Sequence, residues 1–246
     1  MITHKSIGYS GRLGNQMFQY AALKIISLLM KQPIILPNHT IVKQDGCFDF
    51  TNNKWIPYRL DLLDCFDLNC QIGKIEGDEV VLDGYFQSYS HLVGYEKEII
   101  EEFNFKSNII EKCVKIISKY TNPVSIHVRR GDYINHPEYW VVTPEYIQEA
   151  LSKFNDNEYT FLVFSDDIDW CKSVFSDGVV FIEGNNQFED LCLMSLCCHN
   201  IIANSSYSWW GAFLNQNPNK KVIAPNNWFT PAKPLNDLYP PNWITI

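Results

Sequence analysis

The chain has 246 residues, 46% hydrophobic and 20% charged, which suits a soluble globular protein of one large or two small domains. With 20 basic against 28 acidic residues the formal charge is −8 and the pI is near 5.2, which excludes a non-specific nucleic-acid binder while leaving room for a local basic pocket. The 8 cysteines follow no zinc or disulfide spacing, the N-terminus has no apolar signal core, and no apolar stretch is long enough to span a bilayer, so reduced thiols in a cytoplasmic protein are expected.

In chain order, Ser6–Ser10 reads as the end of a first strand, followed by the turn Gly11-Arg12-Leu13-Gly14-Asn15-Gln16. A dense apolar run then predicts a mostly buried helix from about Asn15 to Lys31. Strand, glycine turn and helix N-terminus together make an anion site, although neither a dinucleotide fingerprint nor a Walker loop is present. Pro33–Leu36 is a short strand, and Asn38–Gly77 shows little periodicity and is expected to be irregular. Val80–Phe86 is strand-like and leads through Gln87-Ser88-Tyr89-Ser90 into a helix over His91–Glu102, with a further helix over Ile109–Lys119. Tyr120–Pro123 is the expected boundary, giving domains of residues 1–121 and 122–246.

The second half alternates regularly. Strands at Val124–Val128, Thr160–Phe164, Val179–Ile182, Ile201–Ala203 and Lys221–Ala224 are separated by helices near Pro144–Phe154, Ile168–Phe175, Phe188–Cys198 and Tyr207–Asn215. This predicts an α/β fold with a doubly wound parallel sheet. Thr143 and Pro144 suit the cap and first turn of their helix. The tail Pro225–Ile246, rich in Pro, Asn and Trp, reads as a wrapping extension.

An open parallel sheet binds ligands outside the carboxyl ends of its strands. Gly11–Gln16, His127–Asp132, Ser165–Asp169 and Asn204–Trp210 all follow strands. Arg129 and Arg130 suit a dianionic group such as a pyrophosphate, and strand alternation leaves one of them to brace a carboxylate or loop. Gly131 lets the chain turn. His127 reads as a positioner of Asp132 or of a sugar, not as a base. Asp167-x-Asp169 could hold a divalent ion, but acids at a helix N-terminus more simply cap it. Asp166 is the residue expected to accept hydrogen bonds from a base edge, guanine being the base that offers two donors together. Asn204, Ser205 and Ser206 open a helix, where hydroxyls and free N–H groups hold phosphate oxygens or cap the helix. Trp209 and Trp210 are expected in the core, and the 14% aromatic content suits stacking on bases or sugars.

These motifs resemble the α-1,2-fucosyltransferases of glycosyltransferase family 11. The resemblance rests on Gly11–Tyr20, His127–Tyr133, Phe164–Asp167 and Asn204–Ala212, in family order along nearly the whole chain. It implies a GT-B-like pair of Rossmann-like domains, GDP-β-L-fucose as donor, inversion at the sugar carbon and no metal or other cofactor. The acceptor implied is a terminal galactose of a glycan, taken at its 2-hydroxyl. It gives donor contacts to Asn15, Arg129 and Asp166; Arg12, Gly14, His127, Arg130, Asn204, Ser205 and Ser206 complete the expected donor set. Asp132 and Glu138 are the carboxylates near enough in sequence to Arg129 to take the acceptor's proton, and a structural Asp132 paired with Arg130 is the alternative. Without the membrane anchor of the animal enzymes, a bacterial cytoplasmic form acting on glycan precursors is expected, with peripheral membrane contact left open. Rival readings are the same fold with another nucleotide sugar, a metal-dependent transferase using Asp167 and Asp169, and a glycan-binding module without chemistry.

Overall fold

The computed structural model describes residues 1–9, 11–37, 47–49, 54–56, 60–73, 80–154, 158–175, 177–231 and 237–246. It divides into two compact units, Met1–Lys106 and Ser107–Ile246. The sequence places this boundary at 121/122. It falls earlier because the helix Ser107–Ile117 packs on the helix Gln187–Leu196, with Lys112 Nζ 2.7 Å from Glu189 Oε2.

The first unit runs β1 (Ile2–His4), α1 (Leu13–Met30), β2 (Ile35–Pro37), the antiparallel pair β3 (Cys47–Asp49) and β4 (Lys54–Ile56), α2 (Asp61–Cys65), β5 (Gln71–Gly73), β6 (Val80–Leu82), a 3-10 turn at Tyr89–His91 and α3 (Glu96–Glu102). β1 pairs in parallel with β6 and β2 with β5, and a parallel bridge from Ile2 to Ile34 links the two pairs. The first strand is therefore Ile2–His4, and Ser6–Tyr9 is a turn closed by Tyr9 N–H on Ser6 O at 3.0 Å. α1 buries Leu13, Met17, Phe18, Tyr20 and Leu23 completely or nearly so. It stops at Lys31, whose left-handed φ of 53° ends the helix. β6 ends at Leu82, short of Phe86, because Gly84 and Phe86 turn out of the strand at positive φ. Gly94, at φ 85°, breaks the helix expected over His91–Glu102 into the 3-10 turn and α3. The region Asn38–Gly77 is not wholly irregular: it holds the β3–β4 pair, α2 and β5, while residues 38–46, 50–53, 57–59 and 74–79 lie outside the described residues.

The second unit is α4 (Ser107–Ile117), β7 (Pro123–Val128), a 3-10 turn at Gly131–Tyr133, α5 (Pro144–Leu151), β8 (Thr160–Ser165), α6 (Ile168–Val174), β9 (Val179–Phe181), α7 (Gln187–Leu196), β10 (His199–Ile201), α8 (Ser206–Phe213), β11 (Val222–Ala224) and β12 (Ile244–Thr245). Thr143 caps α5 by accepting Tyr146 N–H at 3.3 Å, and Asn186 with Glu189 forms a capping box on α7. The sheet is parallel throughout, in the order β12-β11-β10-β7-β8-β9. β10 starts at the polar pair His199-Asn200, earlier than expected. Buried Asn200 is satisfied in the sheet: it donates to Ser125 Oγ at 2.7 Å and accepts from Asn215 Nδ2 at 2.8 Å. The tail wraps the unit and adds the sixth strand. Trp209 Nε1 donates to Leu238 O at 2.9 Å, and Ile246 N–H to Ala224 O at 3.0 Å. Trp209 and Trp210 are wholly buried, as core residues.

From β7 the chain winds outward through β8 and β9, then crosses back to β10, β11 and β12. The topological switch point therefore lies between β7 and β10. The carboxyl ends of these two strands open the crevice in which such sheets bind ligands.

Candidate active site

Arg129 to Tyr133 leave the end of β7 on one side of the switch point, and Asn204 to Ser206 leave β10 on the other. Tyr133 bridges them, its hydroxyl donating to Asn204 O at 3.4 Å. Burial lifts the Tyr133 phenol above its usual range, so it stays a neutral donor.

Arg129 lies among carboxylates. Nη1 is 2.7 Å from Asp166 Oδ2, and Nη2 is paired with Asp132. Asp166 Oδ1 also accepts the backbone N–H of Arg130 at 2.9 Å. Asp166, expected at a base edge, thus directs both oxygens to the arginine segment. Asp132 pairs with Arg129 rather than with Arg130. A Cβ on Gly131 would lie 2.5 Å from Asp166 Oδ2, so a glycine here admits this carboxylate. The expected freedom to turn is a lesser reason for it.

Strand alternation sends Arg130 the other way. Its guanidinium lies 3.8 Å from the centre of the Trp170 ring, and Nε is 3.1 Å from Asp167 Oδ2. Asp167 also caps α6, accepting Trp170 N–H at 3.3 Å. Both functions of Asp167 are thus structural, and Asp169 sits in the first turn of α6. Arg130 is thus tied to the start of α6, and Arg129 to Asp166 and Asp132.

His127, two residues before Arg129 on β7, is buried against Tyr207 with ring centres 5.6 Å apart. Burial, with Arg129 beside it, lowers its pKa to about 3, so the imidazole is neutral. His127 Nδ1 and Asn204 Oδ1 are buried without a hydrogen-bond partner in the protein, one near the end of each strand bounding the switch point. Asn204 Nδ2 donates to Trp140 O at 2.7 Å and Trp228 O at 2.9 Å, which ties the site to the tail. Ser205 stands at the cap position of α8 but makes no side-chain cap bond, so capping does not account for its hydroxyl. Ser206 opens α8 at the same place.

The loop after Tyr133 is built by stacking. Tyr139 lies between Tyr133, 4.4 Å away, and His136, 4.0 Å away, while Arg129 sits 5.3 Å from the Tyr133 ring. Glu138 is exposed on this loop, and its carbonyl accepts Thr230 N–H at 2.8 Å. Tyr133 is the last residue of the His127–Tyr133 motif. His136 and Tyr139 fall in the Asn135–Trp140 loop, which the sequence offers as part of an acceptor pocket, whereas Trp170 gives no such signal, since only the fold brings it to Arg130.

The remaining expected residues lie in the first unit. Arg12 precedes α1 and is exposed, Gly14 is buried in its first turn, and Asn15 accepts a hydrogen bond from Gln87. These three belong to the first unit, and the Arg129 cluster belongs to the second. Among the described residues, no helix is long and apolar enough to cross a membrane.

A parallel sheet with an arginine and a helix N-terminus across its switch point is suited to a phosphorylated ligand. The fold is α/β of the GT-B type. The fucosyltransferase NodZ from Bradyrhizobium superposes with a TM-score of 0.55 over 85% of this chain and 91% of its own, at 10% identity; NodZ has also been solved soaked with GDP-fucose. The chain belongs to glycosyltransferase family 11, whose model matches residues 41–246. It is similar to the O-antigen biosynthesis glycosyltransferase WbnK of Escherichia coli, at 28% identity over 96% of this chain and 98% of the relative. It is 37% identical to an alpha-1,2-colitosyltransferase of Escherichia coli over 71% of this chain and 64% of that protein. A galactoside alpha-(1,2)-fucosyltransferase 2 of Sus scrofa is 26% identical over 98% of this chain and 79% of its own length. The chain is thus an enzyme, a glycosyltransferase, and the binding-module alternative falls.

Proposed function

We propose that the enzyme moves L-fucose from GDP-β-L-fucose to the 2-hydroxyl of a terminal galactose on a glycan, with inversion and without a metal or other cofactor. The observation that carries this is Arg129, held by Asp166 and Asp132 at the switch point, across from the N-terminus of α8. The names of the galactoside and alpha-1,2 relatives support the linkage and the acceptor.

In this scheme the bond from the anomeric carbon to the diphosphate breaks as the acceptor oxygen bonds to the opposite face. Charge grows on the diphosphate, and a preorganised cation with N–H and O–H donors stabilises it. Arg129, Ser205, Ser206 and the first N–H groups of α8 fill that role, with His127 and Asn204 as neutral contacts. Arg12, Gly14 and Asn15 are the donor contacts of the first unit. The acceptor hydroxyl gives its proton to a carboxylate. Asp132, which pairs with Arg129, and Glu138, on the loop that follows, are the two candidates to take it. The enzyme acts on glycan precursors in the cytoplasm.

The 37% identity to a colitosyltransferase favours a second reading, in which the sugar moved is colitose, a 3-deoxy form of fucose. A panel of GDP-fucose, GDP-colitose and UDP-galactose with galactoside acceptors, run with and without EDTA and with linkage read by NMR, separates the readings. α-1,2-fucosylated product formed fully in EDTA supports the proposal. Turnover with colitose alone, with the UDP-sugar alone, or only with added metal contradicts it.

A further inference from the structure

Under the proposal above Asn15 contacts the donor, and the first unit holds its side chain in one orientation. Gln87 Nε2 donates to Asn15 Oδ1 at 2.6 Å. An amide has one accepting and one donating end, so binding its oxygen sets the direction of its NH2 group. On the other side Asn15 lies directly on Gly11, where a Cβ would come within 2.3 Å of Nδ2 and where φ is +88°. Only glycine suits that position on both counts.

The turn that delivers Gln87 is itself unusual. Phe86 has a φ of 53°, a conformation rare for a bulky residue and kept only where the surroundings impose it. Those surroundings are specific. His4 Nδ1 accepts Ser6 N–H at 3.2 Å, so Nε2 carries the proton and donates to Gly84 O at 2.8 Å. Ser88 N–H donates to Phe86 O at 2.8 Å, and His91 Nδ1 lies 3.2 Å from the same oxygen. The Phe86 ring sits edge-on between His4 and His91, 5.8 and 6.0 Å away. His4 is buried, and burial lowers its pKa, which keeps it in the neutral form that this tautomer requires.

We infer that Gln87 is a positioning residue of the transfer reaction, orienting the Asn15 amide toward the sugar nucleotide; the inference rests on the reading of Asn15 above. A double-mutant cycle tests it, with Asn15→Ala, Gln87→Glu, Gln87→Leu and the double variant Asn15→Ala/Gln87→Glu. Turnover and KM for GDP-fucose are measured on lactose, and thermal midpoints are recorded. Each single variant should lower kcat/KM for the donor about tenfold, the size of one oriented hydrogen bond, with the midpoint unchanged. The double variant should lose no more than Asn15→Ala alone. If Gln87→Leu does not fold, the isosteric Gln87→Glu carries the prediction, because a carboxylate cannot donate to Asn15. The same cycle read on GDP affinity by calorimetry covers a wild type that does not transfer fucose. Wild-type kcat/KM in Gln87→Glu beside an impaired Asn15→Ala overturns the inference alone, as does a double variant that loses the product of both factors. An unimpaired Asn15→Ala overturns the donor reading of Asn15 as well.

Discussion

Asp166 holds Arg129: one carboxylate oxygen lies 2.7 Å from Nη1, and the other accepts the N–H of Arg130 at 2.9 Å. The same carboxylate therefore sets both the side chain and the backbone of the arginine segment. Asp166→Asn keeps the shape and removes the charge. Turnover should fall about 10- to 100-fold, as one charge-assisted bond is lost. The ratio of GDP to IDP affinity separates this bracing role from base recognition, since inosine lacks the guanine amino group. Bracing predicts a ratio unchanged between the wild type and Asp166→Asn; a ratio that collapses in the variant would restore Asp166 to the base edge.

Gly131→Ala tests the same arrangement from the other side. Its Cβ would lie 2.5 Å from Asp166 Oδ2, the oxygen that meets Arg129. The carboxylate must move, so turnover should fall as in Asp166→Asn. Because Gly131 is exposed, the thermal midpoint should shift little. Wild-type turnover in Gly131→Ala would show that Asp166 is not held where the structure places it.

His127 makes stability depend on pH. Its folded pKa, about 3, lies below the ordinary value of 6.5, so between these the unfolded chain binds more protons. Its contribution is fully present above pH 6.5 and is lost as pH falls toward 3, at a slope of up to about 1.4 kcal/mol per pH unit. Asp190 works the other way: burial raises its pKa to about 6, so its contribution is lost as pH rises from about 4 toward 6. The quantity to measure is therefore the difference between wild type and His127→Gln. Between pH 7 and 5 the wild type should lose more stability to unfolding in urea than the variant. Parallel losses would mean that His127 is not held neutral by burial.

The parallel sheet of the second unit was legible because β7 and β8 are buried apolar runs separated from the next strands by capped helices, as at Thr143 and Pro144. β10 was misplaced because Asn200 is polar, and only its bonds to Ser125 and Asn215 show why it is buried. β5 and β12 are too short to carry a period. At the site, the residue types pointed to the ends of the right strands, whereas the pairing of charges did not follow from spacing. Asp132 lies close in sequence to both arginines, and the 3-10 turn at Gly131–Tyr133 gives it to Arg129. Gln87 carried no signal at all, since its partner Asn15 is reached only when β1 and β6 pair.

The central claim is that Arg129 stabilises the departing diphosphate while Arg130 braces the fold. Turnover at saturating GDP-fucose in Arg129→Lys, Arg129→Ala and Arg130→Ala, with thermal midpoints for each, tests it most directly. Arg129→Lys keeps the charge but loses the planar fork, so both Arg129 variants should lose about 30- to 1000-fold in turnover, with a smaller change in GDP affinity. Arg130→Ala should chiefly lower the midpoint, by removing the contact with Trp170 and the pair with Asp167. A folded Arg129→Ala within a few-fold of wild-type turnover would contradict the account and move the catalytic cation elsewhere.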